Sequence, residues 1–340
     1  KNDWDSYETS WDFTSLPLLD SDNRQPTLES TYQNLREHWQ DMTQEMQELE
    51  EENNKIFIEA YSLEDELTPE VPLDEVTLTC NPHYRYGGDK TEDELEEKLL
   101  SDTMQEFISY SVGCMFGRYS LDKEGLILAN QGETVEDYLE QVSEPTFAPD
   151  TDNVLPILDE GWFEDDIVAR FYTFLRVTFG QEHFEENLGF IEEAIGNNIR
   201  KYFLKKFYKY HVKMYKKRPI YWLFSSPKGS FNALIYMHRY RPDTVSIILN
   251  DYLREFVNKL KARISHLDSI RENEEGSKRD KARATKERER LNKTVRELED
   301  YERDILYPLA TQQIEIDLDD GVKQNYPTFG EALKKVRGLS

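Results

Sequence analysis

The 340-residue chain contains only two cysteines, Cys80 and Cys114. Two thiols so far apart in sequence give no disulfide framework and no zinc site, and they suit a reducing cytoplasm. No run of about 18 apolar residues occurs, so no transmembrane helix and no membrane partner are expected. The opening residues, 1–13, are polar and acidic rather than patterned as a secretory signal. The chain starts with Lys, which suggests a piece of a longer protein or a processed form. Its six histidines are isolated from one another, with no H-x-x-x-H pair to hold a metal. A Walker A loop and a G-x-S-x-G elbow are both missing. The acid-rich windows 92–97 and 150–166 lack the glycine and spacing of a calcium loop. An independent enzyme therefore has no motif behind it.

Basic residues are scarce in the first half. Residues 1–190 carry 11 Lys+Arg against 46 Asp+Glu, whereas residues 191–340 carry 31 against 22. The net charge of −26 thus hides an acidic half that repels nucleic acid and a basic half that tolerates or attracts it.

Hydrophobic residues make up 38% of the chain and aromatics 12%, enough for packed cores in a chain long enough for two domains. Residues 1–27 read as an irregular strap with Trp4, Tyr7, Trp11 and Phe13 as anchors. Thr27 and Ser30 open a helix that runs to about Leu63, with apolar residues at helical spacing. A short strand over 76–80 follows, then a capping box at Thr91 and Glu94 for a helix to about Met115. Residues 120–160 are rich in turns and acids. Three helices are predicted over 163–179, 182–195 and 198–217.

The most hydrophobic stretch is 217–260. Its runs 220–224 and 231–240 flank the turn Ser-Ser-Pro-Lys-Gly-Ser, in which Pro227 presets φ and Gly229 tolerates φ > 0. Asp243 or Thr244 then caps a long helix. Val245, Leu249, Tyr252, Phe256, Leu260, Ile264, Leu267 and Ile270 line one seam of that helix. Leu291, Val295, Leu298, Tyr301 and Ile305 resume the pattern, so a helical hairpin with a charged tip at 272–290 is expected, ended by Pro308. Ile314, Ile316 and Leu318 alternate as a strand, and 329–336 reads as a last helix.

Asn81-Pro82-His83-Tyr84 is near the Asn-Pro-Pro-Tyr of adenine N6-methyltransferases, where Asn and a prolyl carbonyl grip a flipped base. Here the third residue is His and no F-x-G-x-G motif precedes it, so an Asn-Pro turn is the reading. Gly113 and Gly117 in Gly-Cys-Met-Phe-Gly-Arg-Tyr read as close-packing residues, with Cys114 a core thiol.

The basic helix carries the functional signal. Lys205, Lys209, Lys213 and Lys216 share one face, and Phe203, Phe207, Tyr210 and Met214 another. With Lys217, Arg218 and Lys228 these are the DNA-binding candidates, through phosphate contact. Neutralisation by the acidic half is the competing use of the same charges.

Several stretches together resemble one family. They are Tyr-Glu-Thr-Ser-Trp-Asp-Phe at 7–13, Ile-Phe-Ile-Glu-Ala-Tyr at 56–61 with Leu-Thr-Pro-Glu-Val at 67–71, Val-Gly-Cys-Met-Phe-Gly-Arg-Tyr-Ser-Leu-Asp at 112–122, Pro-Ile-Tyr-Trp-Leu-Phe-Ser-Ser-Pro-Lys-Gly-Ser-Phe at 219–231 and Asp-Asp-Gly-Val-Lys at 319–323. The chain resembles the C-terminal region of the PglX family, adenine-specific DNA methyltransferases of type 1 BREX phage-defence systems. The resemblance implies a large parent that uses S-adenosylmethionine to methylate adenine N6. Its cofactor and catalytic motifs would lie upstream, so no catalytic, cofactor or metal residue is carried over. Double-stranded DNA and other BREX proteins are the implied partners.

The expected fold is α+β and mainly helical, with long antiparallel helical hairpins and a few short strands. The expected division is 1–118, an acidic linker or insertion at 119–162, and 163–340. The expected function is a non-catalytic domain that helps enclose DNA or docks BREX components. The alternative is a protein-interaction scaffold that leaves DNA untouched.

Overall fold

A computed structural model describes residues 2–273 and 277–339. It is mainly helical with one small sheet, an α+β fold as the periodicities indicate. The chain forms two compact units, residues 2–111 with 174–198 and residues 112–173 with 199–339. Residues 119–162, read in sequence as linker or insertion, lie within the second unit.

In the first unit the long helix Leu28–Tyr61 begins at a capping box in which Thr27 and Ser30 satisfy each other's backbone N–H. Its apolar start is buried through Leu28, Tyr32 and Leu35. Leu49, Ile56, Phe57 and Tyr61 near its end are exposed. Two of the four expected anchors of the strap before it hold, Phe13 by burial and Tyr7 by donating to Thr79 O at 3.3 Å. Trp4 and Trp11 are exposed, whereas Phe13, Leu16 and Leu18 are buried. Asp3 supplies a further anchor, its carboxylate accepting the backbone N–H of Thr79 at 2.7 Å and of Cys80 at 2.9 Å. Burial and that nearby carboxylate push the Cys80 thiol up to about 12, which leaves it an inert core thiol at neutral pH.

The strand expected over 76–80 does not form. Val76 is fully buried, but its neighbours make turns that Asn81 holds together. Asn81 Nδ2 donates to the carbonyls of Leu73 and Val76 at 2.7 and 2.9 Å, and Oδ1 accepts from His83 N at 3.1 Å. Asn81 is thus the N-cap of the short helix Pro82–Tyr86. Its hydrogen-bonding groups are occupied by the chain itself.

The second unit is built on the antiparallel sheet β1 (Leu155–Pro156), β2 (Tyr221–Ser225) and β3 (Asn232–Tyr236), in the order β1-β3-β2. Leu155 pairs with Leu234, and Leu223 pairs with the same residue from the other side. Pro156, which has no N–H to give, sits on the edge strand. Every residue of β2 and β3 is buried, because both faces are covered. On one face Tyr221 stacks on His211 of the basic helix, with ring centroids 4.6 Å apart. On the other Trp222 meets Tyr326 and Phe329 edge-on at 5.7 and 5.5 Å. The turn Ser226–Gly229 has Pro227 in second place and Gly229 at φ 71°, the geometry its sequence called for.

Gly113 closes down on Tyr119. A Cβ at 113 would stand 2.3 Å from Tyr119 Cδ2, so the glycine serves close packing. Gly113→Ala is expected to destabilise the chain by about 1–3 kcal/mol through overpacking, measured by urea denaturation. An unchanged midpoint would show that Tyr119 moves aside freely.

The long helical hairpin runs antiparallel through 244–272 and 278–312, with Lys261–Glu299 and Asp268–Arg288 ion pairs both at 2.7 Å across it. Residues 274–276 of the expected tip lie outside the described residues. Both arms contain a π-helical turn, Ile248–Arg254 and Glu302–Leu306. An i→i+5 turn inserts a residue into the helical phase. The seam therefore passes from Tyr301 to Leu306, which is fully buried, and not to Ile305. The helix also continues past Pro308 into Tyr307–Gln312. The wide turn just before Pro308 relieves the clash a proline makes with the preceding turn. The predicted strand at 314–318 forms no ladder among the described residues, and Leu318 already opens the 3-10 segment Leu318–Asp320. Gln131 holds this stretch instead, donating to Ile316 O and accepting from Leu318 N, both at 2.7 Å. The last predicted helix, 329–336, is replaced by the 3-10 segment Tyr326–Ala332 and an extended tail. That tail bonds to the free edge of β2 through Lys334 N and Leu223 O at 2.8 Å, so an unpaired strand edge outcompetes the local helical pattern.

Candidate nucleic-acid interface

The basic helix spans 199–214 and contains the π-helical turn Phe203–Phe207. Its core face is Ile199, Tyr202, Phe203, Phe207, Tyr208 and His211, all buried. The π turn shifts the phase, so Tyr208 and His211 turn inward while Tyr210 and Met214 are only half-buried. Lys205 and Lys209, one turn apart, stay exposed.

The helix ends at Met214. Lys216 and Lys217 then adopt left-handed φ of 49° and 63°, and Lys217 N closes the end on Val212 O at 2.8 Å. This reversal brings Lys217 back toward Lys209. Both line a cavity of about 420 Å³ with Lys205 and with Lys228 of the hairpin turn. Lys213, Lys216 and Arg218 are exposed outside that cavity. The expected face of four lysines is thus split: Lys216 lies past the helix end at Met214, and Lys213, still within the helix, does not line the cavity.

Three cations missed in the sequence complete the rim. Lys334, Lys335 and Arg337 line the same cavity, carried there by the tail on the edge of β2. Their cluster in Lys-Lys-Val-Arg was the available signal, but read as a helix it had no reason to face Lys228. No carboxylate lines the cavity, although the chain has 68 acidic residues. Among the described residues, no carboxylate lies within ion-pair distance of any of the seven sequence-chosen cations. Leu204, Val212, Leu223 and Val336 form an apolar floor.

Lys228 also faces a second groove of about 830 Å³ along the helical hairpin. Arg283, Lys286, Arg290 and Lys293 line it, stepping by one helical turn, together with Glu160, Glu287 and Glu289. Arg263 pairs with Glu287 at 3.1 Å and Arg290 with Asp159 at 3.3 Å, so this groove is partly neutralised. The turn that links the two is pinned from below. Buried Glu297 accepts the backbone N–H of Lys228 at 2.9 Å, which holds the Lys228 backbone while its side chain stays exposed.

Beneath the helix, His211 Nε2 accepts the backbone N–H groups of Ile220 and Tyr221 at 3.2 and 3.1 Å. Burial, with the Arg118 charge nearby, lowers His211 to about 3. His211 is therefore neutral and ties the cationic helix to β2.

No family model matches the chain. It is 38% identical over 357 aligned residues, 100% of its length, to the adenine-specific methyltransferase BrxX of Escherichia coli O9:H4 (strain HS). It is 35% identical over 340 residues, 96% of its length, to the adenine-specific methyltransferase PglX of Lacticaseibacillus casei (strain Zhang). The resemblance to PglX holds along the whole chain. The chain spans 29% of the BrxX relative and 26% of the PglX relative, so it corresponds to a portion of each. Among the described residues, no helix is long and apolar enough to cross a membrane and no acidic, His or Cys cluster is arranged to hold a metal.

Proposed function

We propose that this chain is the non-catalytic C-terminal portion of a BREX adenine-N6 methyltransferase and that its second unit holds double-stranded DNA by the phosphate backbone. The observation that carries the reading is the carboxylate-free rim of Lys205, Lys209, Lys217, Lys228, Lys334, Lys335 and Arg337. Apart from Lys335, which lies 3.9 Å from the exposed Glu331 carboxylate, these cations have no ion-pair partner among the described residues, and their convergence from three separate elements is costly unless a polyanion meets them. Lys213, Lys216 and Arg218 extend the same charge along the surface. S-adenosylmethionine and the methyl transfer belong to the parent enzyme. In this chain Asn81, the residue nearest to a catalytic motif, is spent on a helix cap.

A salt titration of duplex binding tests this. If about six phosphates are neutralised, the logarithm of the association constant falls against log salt with a slope of about −5. Binding that is absent at low salt, or independent of salt, would overturn the reading. A second use of the chain is favoured by exposed Leu49, Ile56, Phe57 and Tyr61 on the long acidic helix. An apolar face of this kind marks a docking surface, here for another BREX component or another part of the parent.

A further inference from the structure

A duplex is too wide to enter the space beneath the lysine rim. It would rest on the rim and leave about 420 Å³ below it unfilled, a volume in the range of small-molecule sites. The cavity has two chemically distinct parts. The rim offers seven cations and no carboxylate. The floor offers Leu204, Val212, Leu223 and Val336. The polar groups that reach the floor are already used. Tyr208 OH is bonded to Tyr326 OH at 2.9 Å. Asn232 Nδ2 donates to Gly229 O at 3.0 Å and its Oδ1 accepts from Ser225 Oγ at 2.8 Å. The floor side chains are therefore apolar or already bonded, while apolar contact with a base remains available.

We infer that this cavity binds a single unstacked nucleotide, with the phosphates on Lys205, Lys209, Lys228 and Lys334 and the base against Leu204 and Val212. The charge comes from four lysines on three elements, so phosphate supplies most of the affinity. The apolar floor adds the preference for a nucleotide over a bare phosphate chain. The floor does not discriminate base identity, because its side chains are apolar or already bonded. The same chemistry is offered by a free nucleoside triphosphate and by an extruded nucleotide of a DNA strand.

Binding of ATP and of a short oligothymidylate separates these sources, with inorganic triphosphate and adenosine as the two halves of the ligand. Titration calorimetry is carried out on the full chain in low salt without added metal. Either ATP or the oligothymidylate is expected to bind at least tenfold more tightly than inorganic triphosphate, and adenosine alone not to bind. ATP binding assigns the site to a free nucleotide, and binding of the oligonucleotide alone assigns it to a DNA strand. Leu204→Ser and Val212→Ser, both at half-buried positions, remove the apolar floor without adding charge and are expected to weaken the nucleotide at least tenfold. Duplex binding, which uses only the rim, should change by less than threefold, and circular dichroism verifies folding. Equal affinity for ATP, oligothymidylate and inorganic triphosphate would overturn the inference while leaving the duplex reading intact. So would binding of neither nucleotide by a chain that binds duplex.

Discussion

Reversing Lys205, Lys209, Lys217 and Lys228 to Glu together is expected to weaken duplex binding by about three orders of magnitude at 0.1 M salt. Each phosphate contact contributes about 0.9 to the salt slope, so losing four lowers the slope by about 3.6. At 0.1 M salt that change alone is about 10³ to 10⁴ in the association constant. The four residues come from the helix, its left-handed exit and the hairpin turn, and all line one cavity. A like reversal of Lys213, Lys216 and Arg218, exposed outside that cavity, is expected to cost far less. The measurement is fluorescence anisotropy of a labelled duplex at several salt concentrations. Equal losses for the two sets would mean that diffuse charge, not the cavity rim, binds DNA. An unchanged slope in the first set would remove these residues from the interface altogether. All seven side chains are exposed, so folding should survive either reversal.

That contrast could not be read from the sequence, and the reason is local. At 100° per residue the helix was extended through Lys217, which puts Lys205, Lys209, Lys213 and Lys216 on one face. The helix instead stops at Met214 and reverses through two left-handed lysines, a conformation their side chains do not advertise. The π turns are equally silent in sequence, and each moves a seam by one position, as at Leu306. Strand predictions at 76–80 and 314–318 failed because alternation describes a half-buried strand only when a partner edge is present. Side chains of Asn81 and Gln131 satisfy those backbones instead. Lys334 to Arg337 went unrecognised for the converse reason, since the open edge of β2 was not visible from the helical pattern of 329–336. The hairpin was legible because Pro227 and Gly229 fix the turn chemically and both flanking runs are long and apolar. The capping boxes at Thr27 and Thr91 were legible for the same reason, as side-chain chemistry that acts within four residues.

His211→Ala is expected to lower stability by about 3–5 kcal/mol at pH 7.5, the largest loss from any single side chain on the basic helix. The substitution removes the acceptor of two buried N–H groups, each costing about 1–3 kcal/mol when left unpaired. It also removes a ring that stacks on Tyr221. His211→Gln, which keeps an acceptor, is expected to recover part of the loss. The pH dependence separates this role from simple filling of space. In the folded chain His211 titrates at about 3 and His238 at about 4, both below the ordinary value of 6.5, chiefly through burial. Below pH 6.5 the unfolded chain binds protons that the folded chain refuses. Stability from both groups is therefore full above pH 6.5 and is lost as pH falls toward 4. Asp152 acts in the opposite sense, since burial and Asp150 raise it to about 7. Its contribution is full below about pH 4 and is lost as pH rises through 7. Glu106, raised by burial, acts in the same sense as Asp152, so the wild type titrates as a sum of opposing groups. Removing His211 takes its own contribution, about 1.4 kcal/mol per pH unit below pH 6.5, out of that sum. The gap between wild type and His211→Ala should then narrow by about 2 kcal/mol from pH 6.5 to 4.5. Urea midpoints measured across that range decide it. A gap independent of pH would mean that His211 carries a proton in the folded chain and does not accept from Ile220 and Tyr221 as drawn.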